Sequence, residues 1–151
     1  MEQKKTFESF SAEDTFRIGY ETGKAASPGD VYALHGDLGV GKTVFTKGLA
    51  KGLGIAEAVN SPTFTILQIY DTGRLPLYHF DVYRIEDPEE MEEVGFDDYI
   101  FGQGVSIIEW PEKIAEILPE HVVNVTIEKD LGRGLDFRRI IFEGREADAP
   151  C

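Results

Sequence analysis

Residues 36–43, GDLGVGKT, constrain this chain more than any other segment, because they match the phosphate-binding P-loop pattern of Gly, four residues and Gly-Lys-Thr. The apolar run at 31–35 precedes the pattern and reads as a buried strand, and Phe45, Leu49 and Leu53 follow it at helical spacing. A strand, a glycine-rich turn and a helix in this order are the context in which a P-loop works. The segment therefore predicts a nucleotide site, and an ordinary turn between a strand and a helix is the alternative.

Each residue type in this loop has its own task toward a polyphosphate. Backbone N–H groups of residues 38–43 can wrap the phosphates at the N-terminus of the following helix, where the helix dipole favours negative charge. The Lys42 ammonium can reach the β- and γ-phosphates, and the Thr43 hydroxyl can bind Mg²⁺. The nucleotide-binding residues that we predict from the loop are Leu38, Gly39, Val40, Gly41, Lys42 and Thr43.

Two carboxylates follow strand-like runs and could complete a hydrolytic site. Asp81 ends the run 77–81 as the acid of a Walker B strand does, although His79 interrupts the apolar pattern. Glu109 ends the more regular run 105–109. Hydrolysis or transfer needs a second anchor for Mg²⁺ and a group that orients the attacking water, and these two acids are the candidates. A solvated carboxylate at a strand end is the alternative for each.

Helix-like and strand-like runs alternate along the rest of the chain and predict an α/β fold. We expect a single P-loop NTPase-like domain over residues 1–145, with a mixed, mostly parallel sheet, antiparallel hairpins and flanking helices. The polar tail 146–151 is expected to be disordered. The remaining predicted elements are an edge strand at 6–10, a helix from Ser11 toward Ala26, a hairpin of 64–70 and 75–83, a helix starting at Asp87 and Pro88, a short helix at 111–118, and a hairpin of 122–128 and 135–142.

Charge limits the partners that this chain can bind directly. The formal net charge is −13, and residues 76–151 hold 7 basic and 19 acidic side chains. A field of this sign repels nucleic-acid backbones and anionic lipid, so an anionic ligand needs a local site. The only cysteine is Cys151, so an internal disulfide is excluded and no disulfide-linked oligomer is expected. Without an apolar leader or a long apolar stretch, we expect a cytoplasmic protein with no membrane association.

Four segments in order, GDLGVGKT at 36–43, SPTFT at 61–65, YHFDVYR at 78–84 and IEWPEK at 108–113, resemble the TsaE (YjeE) family of small bacterial P-loop ATPases. The resemblance spans nearly the whole chain, and the second and third segments are more specific than the P-loop. That family is needed for the threonylcarbamoyladenosine modification of tRNA, and its members slowly hydrolyse ATP while docked on a TsaB and TsaD pair. The resemblance implies ATP and Mg²⁺ as cofactors, TsaB and TsaD as partners, and contact with tRNA only through those partners.

The resemblance also implies roles for individual residues of the site. Thr43 and Glu109 would lie in the Mg²⁺ shell, with Asp81 as the Walker-B-like acid close to the same metal. Catalytic roles would then fall to Asp81, Glu109 and Lys42.

Three further regions acquire roles beside the same resemblance. Thr63 and Thr65 would sit in a switch loop that senses the γ-phosphate, and residues 79–84 would form a second switch segment. Arg133, in the C-terminal hairpin, is assigned to nucleotide contact, although this hairpin matches the family least well.

Two other readings remain open from the sequence. A small P-loop kinase acting on a metabolite usually carries an arginine-rich lid, and here only Arg133, Arg138 and Arg139 could supply one. Because Arg138 and Arg139 lie in a strand-like run, they suit a lid poorly. A nucleotide-gated binding module with negligible turnover is the other reading. The absence of an Asn/Thr-Lys-x-Asp motif weakens a GTPase assignment.

Overall fold

One sheet organises the residues that the computed structural model describes, which are 3–37, 39–59 and 66–144. Its seven strands are β1 Gln3–Ser9, β2 Val31–His35, β3 Leu67–Tyr70, β4 Leu77–Asp81, β5 Val105–Glu109, β6 Val123–Lys129 and β7 Arg138–Gly144. They lie in the order β1-β7-β6-β2-β5-β4-β3. The predicted α/β fold with a mixed sheet is confirmed.

Strand direction divides this sheet into a centre and two edges. The pairs β6–β2, β2–β5 and β5–β4 are parallel, and the pairs β1–β7, β7–β6 and β4–β3 are antiparallel. The parallel pairings therefore form the centre of the sheet rather than its majority. The predicted edge strand and both predicted hairpins are present. The tail 146–151 lies outside the described residues, so its disorder stays a prediction.

The described helices are α1 Ala12–Ala25, α2 Lys42–Gly52, α3 Met91–Val94 and α4 Phe96–Ile100, with 3₁₀ turns at Pro88–Glu90, Pro111–Ile117 and Leu131–Arg133. Two predicted helix starts are confirmed by their caps. The Ser11 hydroxyl accepts a hydrogen bond from the Asp14 N–H at 3.1 Å, and the Asp87 carboxylate accepts one from the Glu89 N–H at 3.0 Å. Within the described part of the chain, no helix is long and apolar enough to cross a membrane.

Alternating side chains bury both faces of the central strands. On β4 and β5, Leu77 and Ile107 belong to the core under α1 and α2, whereas Phe80 and Ile108 belong to the core on the opposite face. Such strands must be apolar on both sides, which explains their continuous hydrophobic runs. Since His79, Asp81 and Glu109 alternate in step with Leu77 and Ile107, they point to the α2 side of the sheet.

Helices α1 and α2 approach each other closely because glycines line their contact. A Cβ atom at Gly48 would lie 2.1 Å from the Phe16 carbonyl oxygen, and one at Gly19 would lie 2.3 Å from the Phe45 carbonyl oxygen. The two backbones therefore touch where larger residues would hold them apart. This contact fixes α2, and with it the loop that leads into the helix.

The C-terminal hairpin differs from its prediction in where the second strand starts. The run at 135–142 predicted a strand from residue 135, but β7 begins at Arg138. Asp130 accepts a hydrogen bond from the Gly132 N–H at 3.2 Å, and the chain then makes a 3₁₀ turn. Because residues 131–136 are exposed in this turn, they form a loop instead of extending the hairpin.

Candidate functional site

Three neighbouring parallel strands end at the same edge of the sheet and bring the predicted site residues together. The P-loop segment follows β2, Glu109 ends β5, and Asp81 ends β4. Glu109 is the register partner of Leu34 on one side and of Asp81 on the other. In open α/β sheets, ligands bind in the crevice outside the carboxyl ends of the strands. The separate strand-end predictions for Asp81 and Glu109 thus converge on one place beside the loop.

The backbone of the loop has the conformation that its glycines allow. Gly39 has φ 79° and Gly41 has φ 114°, values that residues with a Cβ rarely adopt. Gly41 directly precedes α2, and its carbonyl accepts the first helical hydrogen bond from the Phe45 N–H at 3.0 Å. The N–H groups in the first turn of α2, where a helix favours an anion, therefore lie at the site. Leu38 lies outside the described residues.

Lys42 is the buried cation of the site. Its side chain is 7% exposed, and its Nζ lies 4.3 Å from the ring centroid of Trp110. Trp110 follows Glu109 with φ 62°, the one positive φ among the described residues other than glycine. The indole also packs against Tyr83, with ring centroids 5.0 Å apart. A cation–π contact thus holds the P-loop lysine next to the segment that carries Glu109.

Glu109 has a buried partner that the sequence analysis did not identify. His79 Nε2 lies 2.7 Å from Glu109 Oε2, and the two residues are 1% and 6% exposed. An ionised carboxylate can only accept, so the hydrogen of this bond belongs to His79 Nε2. The His79 Nδ1 atom is buried without a hydrogen-bond partner in the described structure. The only signal for the pair was that His79 interrupts an apolar run.

Asp81 sits on β4, two residues after His79, and is half-buried. Burial raises the pKa of the Asp81 carboxyl above its ordinary value of 3.8, and the negative charge of Glu109 raises it further. A hydrogen bond of 3.0 Å from the Tyr83 N–H to Asp81 Oδ1 opposes this rise in the pKa. Two carboxylates in register at neighbouring strand ends make a place that favours a cation.

The oxygen donors at this edge fit a magnesium ion that is shared with phosphate. Across residues 3–37, 39–59 and 66–144, no group of three or more His, Cys, Asp or Glu side chains could hold a metal by itself. Thr43, Asp81 and Glu109 offer one hydroxyl and two carboxylates, which are hard oxygen ligands. Because Mg²⁺ is commonly bound by one or two carboxylates together with substrate phosphates, this set suits Mg²⁺ that arrives with a nucleotide.

Among the described residues, Arg138 contacts the loop, and no pattern in the sequence predicted this contact. Arg138 donates from Nε to the Val40 carbonyl at 2.8 Å. Arg133 pairs with Glu8 and lies over the Phe137 ring at 4.4 Å. Nucleotide contact by Arg133 stays a prediction. No spacing in the sequence points to the contact of Arg138, because it joins residues 98 positions apart.

The predicted switch residues Thr63 and Thr65 lie outside the described residues, and their roles stay predictions. Residues 79–84, to which the resemblance implies a second switch role, are described, and that role stays a prediction. The segment contains the histidine bonded to Glu109, the acid Asp81, and the exposed Tyr83 that packs on Trp110. This segment therefore runs from the buried site to the surface.

Known proteins resemble this chain over most of its length. The sequence profile described as "Threonylcarbamoyl adenosine biosynthesis protein TsaE" matches residues 9–138. A protein of Bacillus subtilis (strain 168), named tRNA threonylcarbamoyladenosine biosynthesis protein TsaE, is 50% identical over 142 residues, covering 94% of this chain and 86% of that protein. A protein of the same name from Treponema pallidum (strain Nichols) is 48% identical over 119 residues, covering 79% and 87%.

A solved structure shares the fold as well as the sequence. The crystal structure of Bacillus subtilis YdiB matches with a TM-score of 0.82 and 42% sequence identity, and the match covers 95% of this chain and 87% of that one. The profile, the two relatives and this structure agree with the resemblance carried by the four sequence segments. The chain belongs to the TsaE family.

Proposed function

We propose that this protein binds Mg-ATP and hydrolyses it slowly, as a subunit required for the threonylcarbamoyladenosine modification of tRNA. One observation carries the proposal. The P-loop backbone, Glu109 and Asp81 lie at the ends of three adjacent parallel strands. The names of the relatives, which refer to threonylcarbamoyladenosine biosynthesis, support the tRNA-modification part.

The residues of the proposed site have separate tasks, and the positions of the described ones support them. The N–H groups of residues 38–43 bind phosphate oxygens, and the Lys42 ammonium exchanges the Trp110 ring for the β- and γ-phosphates. Thr43 and Glu109 hold Mg²⁺, which when bound neutralises charge on the phosphates. Asp81, in register with Glu109, adds a second carboxylate that orients water near the metal.

We expect slow hydrolysis by the isolated protein because none of its described arginines is clearly placed to neutralise charge on the γ-phosphate. Among the described arginines, Arg84 is exposed just beyond Asp81, Arg133 pairs with Glu8 in the C-terminal hairpin, and Arg138 donates to backbone carbonyls. An arginine finger that neutralises charge in the transition state is worth about 10³-fold or more in rate. We propose that a TsaB and TsaD pair supplies this stimulation. The pair would also hold the tRNA, because the net charge of −13 opposes a direct grip.

The first experiment measures ATP turnover by the pure protein, alone and with TsaB and TsaD. We expect feeble activity of the protein alone and stimulation by the pair. We also propose that the protein works in the cytoplasm. Full activity in isolation would contradict the proposal, as would tight, salt-sensitive binding of tRNA by the chain alone in a filter assay.

A second experiment tests the phosphate loop by titration calorimetry with Mg-ATP. Lys42→Ala removes a cation from the phosphates and Thr43→Ala removes a metal ligand, so both variants should bind more weakly. Lys47→Ala removes an exposed lysine from the same helix and serves as the matched control. If Lys42→Ala and Thr43→Ala are folded and bind as tightly as the parent, the loop assignment is wrong.

A third experiment separates hydrolysis from nucleotide-gated binding. Metal and water positioning matter most as charge develops in the transition state. Asp81→Asn and Glu109→Gln should therefore lower turnover more than they lower affinity for ATP. Parallel loss of both quantities in both variants would favour a binding module without a hydrolytic role.

A further inference from the structure

The guanidinium of Arg138 is bound entirely through backbone carbonyls in the contacts that the structure describes. Its Nε donates to the Val40 oxygen at 2.8 Å, and its Nη1 donates to the oxygens of Leu135 and Phe137 at 2.9 and 2.8 Å. The carbonyls of Leu135 and Phe137 belong to the loop between β6 and β7, whereas Val40 belongs to the P-loop segment. The planar fork of one arginine thus joins the two loops in a fixed geometry.

The hydrogen bond to the Val40 oxygen fixes the orientation of the whole Val40–Gly41 peptide. The described chain contains no cis peptide bond, and a trans peptide is planar, with its C=O and N–H pointing in opposite directions. Because Arg138 holds the Val40 carbonyl, the Gly41 N–H of the same peptide must point away from Arg138. The orientation of one N–H group in the P-loop segment is therefore set from strand β7.

The orientation of the Val40–Gly41 peptide depends on contacts from outside the loop. Gly41 has φ 114°, and glycine populates positive and negative φ about equally well. Rotation of the Val40–Gly41 peptide therefore meets no Cβ on the glycine side. A rotated peptide would present a carbonyl oxygen, instead of an N–H, to an anion in the loop, and two acceptors repel each other.

We propose that Arg138 is a positioning residue that keeps the Val40–Gly41 peptide oriented with the Gly41 N–H toward a bound phosphate. It acts through the backbone and not on the phosphate itself. The inference rests on the proposed function, because it takes a nucleotide phosphate as the ligand of the loop. It adds a residue to which neither the sequence pattern nor the family resemblance gave a role.

The neighbouring arginine supplies a matched control. Arg139 pairs with Glu128 at 3.2 Å and with Asp130 at 3.3 Å, and those partners lie on β6 and in the following loop. Arg138→Lys and Arg139→Lys both keep the positive charge. Only the first removes the fork that holds Val40 together with Leu135 and Phe137. A difference between the two variants therefore reports geometry and not net charge.

Affinity for Mg-ADP, measured by titration calorimetry, is the first readout. A hydrogen bond to a charged group is worth about 10- to 100-fold in affinity, so we expect Arg138→Lys to weaken binding within this range. Arg139→Lys should bind within about twofold of the parent, which is well below the loss of one such bond. If Arg138→Lys binds Mg-ADP as the parent does, the positioning role is wrong.

The second readout is the Gly41 amide signal in protein labelled with ¹⁵N-glycine and free of nucleotide. Arg138→Lys should shift, broaden or double this signal, and Arg139→Lys should leave it in place. An unchanged Gly41 signal in Arg138→Lys overturns the inference even if the affinity falls, because the loss would then come from general destabilisation. Failure of the parent to bind Mg-ADP would instead overturn the proposed function, and the nucleotide-free spectra would still test Arg138.

Arg138→Gln, which keeps one N–H donor group, replaces the lysine variant if that variant does not fold. The parent protein gives an independent check: inorganic pyrophosphate should move its Gly41 amide signal. An unmoved Gly41 signal at saturating pyrophosphate, with other loop signals moving, would show that this N–H does not face the phosphate.

Discussion

His79 and Glu109 form a buried hydrogen bond, with Nε2 and Oε2 2.7 Å apart, at the strand ends beside the P-loop. The bond joins β4 to β5 through side chains as well as through the backbone. It occupies one oxygen of the carboxylate and does not use the other, Oε1. A carboxylate held in this way has a fixed orientation before any cation arrives, which is the role that a hydrogen-bonded neighbour plays for many metal ligands.

Replacing His79 should expose how much Glu109 depends on this bond. His79→Phe leaves a buried carboxylate without its donor, which costs about 1–3 kcal/mol of unfolding free energy. His79→Gln can place an amide N–H near the position of Nε2, so it should lose less. Urea unfolding gives the stability, and Mn²⁺ binding with ADP gives the metal affinity, which should fall more for Phe than for Gln.

His121→Phe is the control for that comparison, because His121 is exposed and contacts the Gly29 carbonyl away from the loop. This variant should bind Mn²⁺ with ADP as tightly as the parent does. Equal metal affinities for His79→Phe and His79→Gln would show that the bond does not orient Glu109.

The fluorescence of Trp110 should report occupancy of the loop. The chain has a single tryptophan, and the Lys42 ammonium lies over its ring. When phosphates draw Lys42 away, the cation leaves the indole and the emission changes. We expect a saturable change on titration with Mg-ATP, and none of the same amplitude in Lys42→Ala. A titration that leaves the emission of the parent constant while calorimetry shows binding would mean that Lys42 stays on the ring.

The raised pKa of Asp81 predicts a pH-dependent gain in stability when the acid is removed. Because the pKa is higher in the folded state, the ionised form destabilises the fold at neutral pH, and this cost vanishes as the pH falls below 3.8. Asp81→Asn keeps an oxygen to accept the Tyr83 N–H bond. Without nucleotide and metal, its melting temperature should exceed that of the parent at neutral pH, and the difference should shrink near about pH 4.

Asp97→Asn removes one negative charge from an exposed position and serves as the control for the Asp81 experiment. Its difference from the parent gives the general effect of lowering the net charge. If Asp81→Asn raises the melting temperature no more than Asp97→Asn does, burial of the Asp81 carboxylate is not the cause of the gain.

Because glycines let α1 and α2 approach closely, we expect that adding one methyl group at this contact lowers the stability strongly. Gly48→Ala would place a Cβ 2.1 Å from the Phe16 carbonyl oxygen, so the helices must separate. Overpacking of this kind costs about 1–3 kcal/mol or more. Gly132→Ala would meet only the Asp130 side chain at 3.4 Å and is the control. Urea unfolding that gives the same midpoint for both variants would contradict the close helix contact.

Sequence predicted the strands that frame the site because each is a local pattern. The runs at 31–35 and 105–109 coincide with β2 and β5, since strands buried on both faces must be continuously apolar and end at turns. Strand β7 starts later than predicted. Its apolar residues begin before the ladder does, and an exposed turn occupies the positions in between.

The parts of the site that sequence did not predict are contacts between distant segments. Lys42 was identifiable from the P-loop pattern, and Asp81 and Glu109 were identifiable because each ends a strand-like run. The bonds from His79 to Glu109 and from Arg138 to Val40 span 30 and 98 positions, and no spacing rule connects such pairs. They follow only from the order of the strands in the sheet, which brings β4 beside β5 and the start of β7 near the P-loop.

The order of the strands in the sheet also determines when, during synthesis, the contacts of the P-loop can form. Strand β2 pairs with β5 and β6, both of which leave the ribosome after it, and the anchor of Val40 comes 98 residues later. At 5–20 residues per second, the gap between making the loop and making Arg138 is roughly 5 to 20 s. A nascent chain therefore carries the complete phosphate-binding sequence well before it can hold the Val40 carbonyl, and nucleotide meets the complete loop contact only after β7 has joined the sheet.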